Sequence, residues 1–320
     1  MRRKIAISII NYRTLNLTID CARSVLDDIG DIDAQVVIVD NASGDGSVEG
    51  LKAWVDALPD QSPVTLVPSP VNTGFSGGHN QGMTAVDAEH YLLLNSDAVL
   101  RAGFLRTILN FAEAHPQAGL IAPRIETEDG TAQISRFRFH NPLSELERAA
   151  GAGPITRALD KHIVALPANG SSDEIDWASF ACILLKGDMV RELGPMDEGY
   201  FLYYEDAEYC LRAHRAGWPL EACDDAVAVH FRGGSGPVKS NAKARKRQPA
   251  YYYSSRTRFL YQAHGRFGLL KANLAFHLGR GLALGRSLLG GRPHRANEAE
   301  YKDIWTNFMN PLGPRNAPHE

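Results

Sequence analysis

The stretch Leu92, Leu93, Leu94, Asn95, Ser96, Asp97 constrains this chain more than any other. Three leucines behind Tyr91 leave no polar alternation, so they predict a strand buried on both faces, as inside a parallel sheet. Such a strand ends where its polar residues begin. Asn95 and Asp97 are therefore expected at the carboxyl edge of a central strand, where open α/β sheets bind ligands. A carboxylate with an amide oxygen two residues earlier can hold a hard divalent cation, and the cation a diphosphate. An aspartate in that place can equally cap the next turn, so the pair alone decides nothing.

The flanking sequence supplies the rest of a sheet. Lys4 to Ile10 reads as a first strand with the exit loop Asn11, Tyr12, Arg13, Thr14. Its apolar run is too short for a secretory leader and stops at Asn11. Leu17, Cys21, Val25 and Ile29 recur at helical spacing, and Val36 to Val39 ends in Asp40 and Asn41. Strand, helix, strand with a polar residue at each strand end is a βαβ unit, which demands a parallel sheet. Asp40 stands where a carboxylate can reach a nucleoside, or cap its own loop. A helix over Leu51 to Leu58 and a strand over Val64 to Val67 lead to Asn72, Thr73, Gly74, Phe75, Ser76, Gly77, Gly78. This glycine-rich turn is expected to open a helix running to about Ala88, allowing close backbone approach and favouring an anion. It matches neither the phosphate loop nor the dinucleotide fingerprint. A helix over Ala102 to Ala114 and a strand over Gly119 to Ala122 follow.

From Pro123 the pattern loosens. Arg136, Arg138 and His140 alternate with Phe137 and Phe139 in a short strand, Gly151 to Ser172 reads as a mobile loop, and Trp177 to Lys186 as a strand under the site. Tyr200 to Tyr204 then deliver Glu205 and Asp206 to the start of a helix reaching about Ala216. Acidic residues at a helix start also serve the dipole, for roughly 0.3–1 kcal/mol. Two short strands, Leu220 to Cys223 and Ala226 to Val229, end at His230, before a loop, Phe231 to Ser235, read as flexible. His230 there is a metal ligand or a structural histidine.

Composition limits the classes. With 320 residues and 44% hydrophobic content the chain can bury a real core in one large domain or two modest ones. No window reaches the roughly 18 apolar residues of a spanning helix. Cys21, Cys182, Cys210 and Cys223 lack metal-type spacing and fit reduced thiols of a cytoplasmic protein. The net charge of −3 conceals an asymmetry, because Ala226 to Asn297 holds no Asp or Glu but 14 of the 34 Lys and Arg. That asymmetry suggests an anionic partner or a solvated basic face, with no nucleic acid expected. Arg256 and Arg258, among Tyr251, Tyr252 and Tyr253, could help hold a pyrophosphate. Downstream, Phe267, Leu270, Leu274, Leu278 and Leu282 recur at three or four residues with Lys271, Arg280 and Arg286 among them. Such a helix could lie on an anionic membrane surface, or pack on the catalytic domain or a partner subunit in a homo-oligomer.

In order along the chain stand Asn-Tyr-Arg, Val-Asp-Asn-Ala-Ser, Asn-Thr-Gly-Phe-Ser-Gly-Gly, Leu-Leu-Asn-Ser-Asp, Tyr-Tyr-Glu-Asp-Ala-Glu and His-Phe-Arg-Gly-Gly-Ser. Across residues 4 to 236 this resembles the family 2 glycosyltransferases, most of all the rhamnosyltransferase-like branch that builds bacterial surface polysaccharides. The family's Asp-x-Asp stands here as Asn95-Ser96-Asp97, with a single carboxylate. The resemblance implies an α/β GT-A fold, a Rossmann-like, mostly parallel central sheet flanked by helices. It divides the chain into a catalytic domain over 1–240 and a basic, mainly helical extension over 241–320. The nucleotide-binding half would cover about 1–123 and the acceptor half about 124–240. It further implies an inverting hexosyltransferase that takes a dTDP- or UDP-sugar donor and a saccharide or lipid-linked acceptor. Asn11, Asp40, Asn72, Gly74 and Asn95 would line the donor pocket, and Asp97 with His230 would hold Mn²⁺ or Mg²⁺. Asp206 would be the general base, with Glu205 as its competitor and Glu208 a weaker candidate. Such an enzyme would work in the cytoplasm, at the inner face of the cell membrane. Two other classes stay open: a nucleotidyltransferase, which should carry a basic glycine loop after its first strand, and a non-catalytic sugar-nucleotide or polysaccharide-binding protein, which has no need of Asp206.

Overall fold

The uninterrupted apolar runs do become the strands of one sheet. The computed structural model describes residues 2–168, 174–231, 238–291 and 296–318. Among them, eight strands are ordered β3-β2-β1-β4-β9-β6-β10-β5. β1 (Arg3–Asn11), β2 (Ala34–Asp40), β3 (Val64–Pro68) and β4 (Ala88–Asn95) run parallel. β9 (Cys182–Lys186) lies antiparallel between β4 and β6 (Leu120–Glu126), which pairs parallel with β10 (Leu220–His230). β5 (Ala98–Leu100) closes the order, antiparallel to β10.

The period-two alternation of strand side chains explains why both faces are covered. Ile5, Ile7 and Ile9 of β1 join Leu92 and Leu94 of β4 in one core, under Cys21 and Val25 of helix α1 (Leu15–Ile29) and Phe104 and Ile108 of α4 (Phe104–Ala114). Ala6 and Leu93 enter a second core on the other face, with Ile183, Leu185 and Tyr209. Leu92, Leu93 and Leu94 have no exposed surface. Each contributes about 1.5–3 kcal/mol of apolar burial.

β1 pairs with β2 on one side and β4 on the other, so the connections diverge between β1 and β4, which is where a crevice opens in such sheets. In register, Asn11 stands beside Asp40, and Asn95 beside Ile10. Three polar residues thus meet at one sheet edge.

Several boundaries differ from expectation. Helix α2 begins at Ser47 and ends at Asp56. Helix α3 covers Gly74–Thr84, so the glycine-rich turn is itself helical and Ala88 already belongs to β4. The apolar run from Trp177 to Lys186 splits into β8 (Trp177–Ala178), paired with β7 (Arg136–Phe137), and β9. The two short strands before His230 are one strand with an irregularity between Cys223 and Val227. Gly151 to Ser172 holds helix α6 (Gly153–Ala158) and a 3₁₀ turn over Asp160–His162, with 169–173 outside the described residues. Of the loop Phe231 to Ser235, all but Phe231 lies outside them too.

After the sheet, α9 (Val238–Ala244) precedes α10 (Ala250–Leu288), which is broken at Gly265, where φ is 69°. A left-handed φ at that position suits glycine alone at little cost. The first arm packs Phe259 and Leu260 against Tyr200 and Tyr204, and the second packs on α5 (Pro142–Ala150). Arg256 is wholly buried and donates to Glu145 at 2.8 Å and to Asn273 at 2.9 Å. Arg258 holds Asp197 through two contacts of 2.9 Å. Neither guanidinium is therefore available to a pyrophosphate, against the expectation from the sequence. Their role is to fasten the extension, and breaking a buried pair of this kind costs about 3–5 kcal/mol.

Candidate active site

One side of the candidate site is built on the ends of β1 and β2. Asn11 donates to the Asp40 carboxylate at 2.6 Å and to the Ser43 hydroxyl at 2.9 Å. Ser43 in turn gives its hydroxyl to Asp40 at 2.6 Å and its backbone N–H at 3.1 Å. The Asn11 side-chain oxygen Oδ1 accepts from Thr14 and, at 2.8 Å, from the Thr18 hydroxyl. Asn11 and Asp40 have no exposed surface. Both are fully engaged in fixing the loop after β2, with the loop rather than the carboxylate turned outward. Arg13, at φ 59°, reaches the Ser43 carbonyl from the same rim at 3.0 Å.

Asn41 carries this arrangement to the glycine turn. Its amide donates to Asn72 at 3.1 Å and to the Gly74 carbonyl at 2.9 Å, and its carbonyl accepts from the Thr73 N–H at 2.9 Å. Gly74 has φ 72°, and a Cβ there would stand 2.3 Å from the Phe201 carbonyl oxygen. Only glycine permits this approach, which lets Phe75 donate to that same carbonyl at 2.9 Å. The donor turn is thereby stitched to the aromatic segment that precedes Glu205.

At the end of β4, Asp97 and His230 meet, with 3.1 Å between a carboxylate oxygen and Nε2. Both are buried, and the backbone doubles the link, Phe231 donating to the Asp97 carbonyl at 2.9 Å. Gln133 holds the His230 carbonyl at 2.6 Å. Among the described residues no group of three or more His, Cys, Asp and Glu converges to enclose a metal. One carboxylate and one imidazole still fit a cation that keeps waters and shares substrate phosphates, the habit of Mg²⁺ and, with a nitrogen ligand, Mn²⁺. Asn95 is half-buried, and its N–H is held by the Ala181 carbonyl at 2.9 Å.

The third part is the start of helix α8 (Glu205–Arg215). Tyr203 and Tyr204 both adopt left-handed backbone, φ 70° and 69°, each at a cost of about 1–3 kcal/mol for a residue of this kind. Aromatic packing holds them there, Tyr204 lying 5.8 Å from Tyr252 and 5.7 Å from Phe259 between ring centroids. The turn sets Glu205 inside and leaves Asp206 half-buried. Asp206 accepts the Ala207 N–H at 2.8 Å and interacts with the Phe180 N–H. Burial nevertheless outweighs these donors and pushes the Asp206 carboxyl up to about 7. Glu205 is raised too, by burial first and by the charge of Asp206 second, and its Oε2 has no partner among the described residues. Glu208 sits one turn on, paired with Arg212 at 2.7 Å, which leaves it less free for proton transfer.

Residues 180 and 181 link the start of α8 to the end of β4, since Phe180 faces Asp206 while Ala181 holds Asn95. The structure thus joins Asn72 and Gly74 to the Asn11–Asp40 loop through Asn41, and Asp97 to His230. Asn41, Ser43, Gln133 and Arg315 also hold the site together, though none is among the candidate site residues expected from the sequence. Arg315 donates to the Thr73 carbonyl at 2.8 Å and the Glu198 carbonyl at 3.2 Å, clasping the donor turn from the far end of the chain. Asn41 and Ser43 lay within the Val-Asp-Asn-Ala-Ser motif, but nothing local signals Gln133 or Arg315.

Comparison with known proteins agrees with this geometry. The low-salt glycan biosynthesis hexosyltransferase Agl10 of Haloferax volcanii is 26% identical over 202 residues, 62% of this chain and 59% of that protein. The chain therefore spans about three fifths of the length of that relative. An N-acetylglucosaminyl-diphospho-decaprenol L-rhamnosyltransferase of Mycobacterium tuberculosis is 25% identical over 272 residues, 79% of this chain and 82% of the relative. Among solved structures, the mannosyltransferase PcManGT of Pyrobaculum calidifontis, in complex with GDP-Man and Mn²⁺, superposes with a TM-score of 0.57 at 15% identity. That match covers 98% of this chain and 85% of the other. Residues 1–349 of TarS from S. aureus, in complex with UDP-GlcNAc, give 0.58 at 13% identity, covering 97% and 82%. These likenesses show the fold, which is GT-A. The family described as glycosyl transferase family 2 matches residues 6–166, half of the chain, and this protein belongs to it.

Proposed function

We propose that this chain is an inverting, metal-dependent hexosyltransferase that moves a sugar from a nucleoside diphosphate to a hydroxyl of a saccharide or lipid-linked saccharide acceptor, in the synthesis of cell-surface polysaccharide. The observation that carries this reading is Asp206, a half-buried carboxylate raised by burial to about 7 and held at a helix start. Its neighbouring strand entry also supports the cation-binding edge. A sugar hydroxyl is a poor nucleophile at neutral pH, so a positioned base with matched pKa contributes on the order of 10²–10⁴-fold.

The acceptor O–H gives its proton to Asp206 while the acceptor oxygen bonds to the anomeric carbon. The bond from that carbon to the diphosphate oxygen breaks with its electron pair leaving on the diphosphate. One displacement inverts configuration and needs no second catalytic carboxylate. Glu205, its carboxyl raised by burial, stands beside Asp206 as the neighbour of the base. A divalent ion held by Asp97 and His230 would supply Lewis-acid stabilisation of the departing diphosphate. The loop fixed by Asn11 and Asp40 receives the nucleoside, and Asn72, Gly74 and Asn95 line the diphosphate side. Residues 1–123 serve the donor, 124–240 the acceptor, and 241–320 form the extension.

The donor class rests on relatives: a rhamnosyltransferase acting on a diphospho-decaprenol acceptor supports dTDP-rhamnose, followed by UDP-sugars. The same name supports a lipid-linked acceptor and a place at the inner face of the cell membrane. Titration calorimetry with a panel of nucleotide sugars, with and without Mn²⁺, on the wild type and on Asp97→Ala tests the reading. Metal-dependent binding of one dTDP- or UDP-sugar, lost in the variant, is expected. Absence of binding under every metal condition would overturn it.

A further inference from the structure

Helix α10 beyond Gly265 has two faces that the fold treats differently. Leu269, Ala272, Asn273, Phe276, Gly279 and Ala283 are buried, and this arm packs on α5. The opposite face carries Phe267, Leu274, Leu278, Leu282 and Leu288, exposed by 82%, 54%, 58%, 46% and 88%. At 100° per residue these five, with Leu270, fall within about 120° of arc centred opposite the packed side. From Phe267 to Leu288 the stripe extends roughly 32 Å at 1.5 Å per residue. A run of this length is no scatter of single exposed leucines, which would need no explanation.

We infer that this stripe is an interfacial anchor that lies in the plane of an anionic lipid surface. Three observations favour lipid over a second copy of the chain. The charge on the stripe itself is Lys271, and no acidic residue stands between Phe267 and Leu288, so two copies meeting there would set like charges together. Lys271 interrupts the stripe and Arg266 flanks it, both exposed, the arrangement by which cations reach headgroups while leucines enter the acyl boundary. No helix among the described residues is long and apolar enough to cross a membrane, so the arm lies along the surface. This inference rests on the proposed lipid-linked acceptor only for its purpose, not for its evidence.

The anchor is rigidly coupled to the proposed base. Arg256, on the first arm of α10, is bound to Glu145 of α5 and to Asn273 of the second arm. That first arm also carries Tyr252 and Phe259, which hold Tyr204 directly before Glu205 and Asp206. Docking the stripe therefore sets the orientation of the acceptor side with respect to the lipid.

Sedimentation of the full chain with phosphatidylcholine vesicles, with and without phosphatidylglycerol, tests the inference. The wild type is expected to partition onto the phosphatidylglycerol vesicles, and Leu274→Ser with Leu278→Ser to lose on the order of 10- to 100-fold of that partition. Lys271→Glu with Arg266→Glu should lose binding selectively to anionic vesicles. Leu274, Leu278 and Lys271 face outward, while Arg266 also donates to the Phe308 carbonyl at 3.3 Å, so an unchanged melting curve is required of each variant and Lys271→Glu alone repeats the charge test. Nucleotide-sugar binding by calorimetry, run on the same preparations, reports on the donor site independently and stays at the wild-type level. Wild-type protein that ignores anionic vesicles overturns the anchor, as does equal partition of the leucine variants. A wild-type dimer in light scattering that becomes monomeric in Leu274→Ser with Leu278→Ser would assign the stripe to a protein interface instead.

Discussion

Asp40 and Asp206 are both enclosed aspartates at the ends of secondary structure, and the protein treats them in opposite ways. Asp40 accepts three hydrogen bonds, from Asn11 and from the Ser43 hydroxyl and N–H, and has no exposed surface. Asp206 has two backbone donors, a raised pKa and a partly accessible edge, next to Glu205 with an unpartnered oxygen. A satisfied buried carboxylate holds a loop in place. An under-satisfied one stores a tendency to take a proton, which stabilises nothing but suits a base.

The largest effect expected from breaking this contrast is on stability at the first site. Asp40→Ala leaves the Asn11 amide and Ser43 hydroxyl without their shared acceptor and should cost about 2–4 kcal/mol in urea unfolding. A loss under about 0.5 kcal/mol would mean that the network is not structural. Gly74→Ala comes next, because a side chain there meets the Phe201 backbone in a left-handed conformation. It should cost about 1–3 kcal/mol and weaken donor binding together.

The pair at the second site reverses the sign. A carboxyl raised in the folded state contributes stability that is fully present below its unfolded value, near 4, and is lost as pH rises through the folded value, about 7 for Asp206. Glu205→Gln, raised in the same direction, should therefore melt above the wild type at pH 8 and merge with it at pH 4. Turnover should move oppositely in the wild type, rising with pH to a half-point near 7 instead of near 4, because the base must be ionised. The smallest effect is expected for turnover of Glu205→Gln, within about tenfold of wild type if Glu205 is only a neighbour of the base.

Much of this was legible from residue order alone. The strands declared themselves because Leu92, Leu93 and Leu94, like Val36 to Val39, are apolar without interruption, and their polar ends mark the sheet edge. Helix α3 was misplaced because glycines disfavour helices in isolation, whereas here Gly78 and Gly82 admit Ile10 and Ser8 at distances a Cβ would forbid. The partner of Arg256 is hidden from the sequence for another reason. Arg256 lies 111 residues from Glu145 in sequence, so no local pattern shows that its charge is already spent on a buried partner. Arg315 is hidden likewise, since its contacts to Thr73 and Glu198 exist only once the chain end has folded back. The outward leucines of α10, by contrast, were visible as a period, but only the structure shows that the opposite side is the one packed.

Asp206 is the group proposed to take the acceptor proton. Asp206→Asn preserves size and the Ala207 and Phe180 contacts in outline while removing the base. Turnover and nucleotide-sugar affinity measured on the same preparation should separate, with affinity unchanged and turnover lower by on the order of 10²–10⁴-fold. Retention of near wild-type turnover with intact donor binding would contradict the assignment and move the role to Glu205.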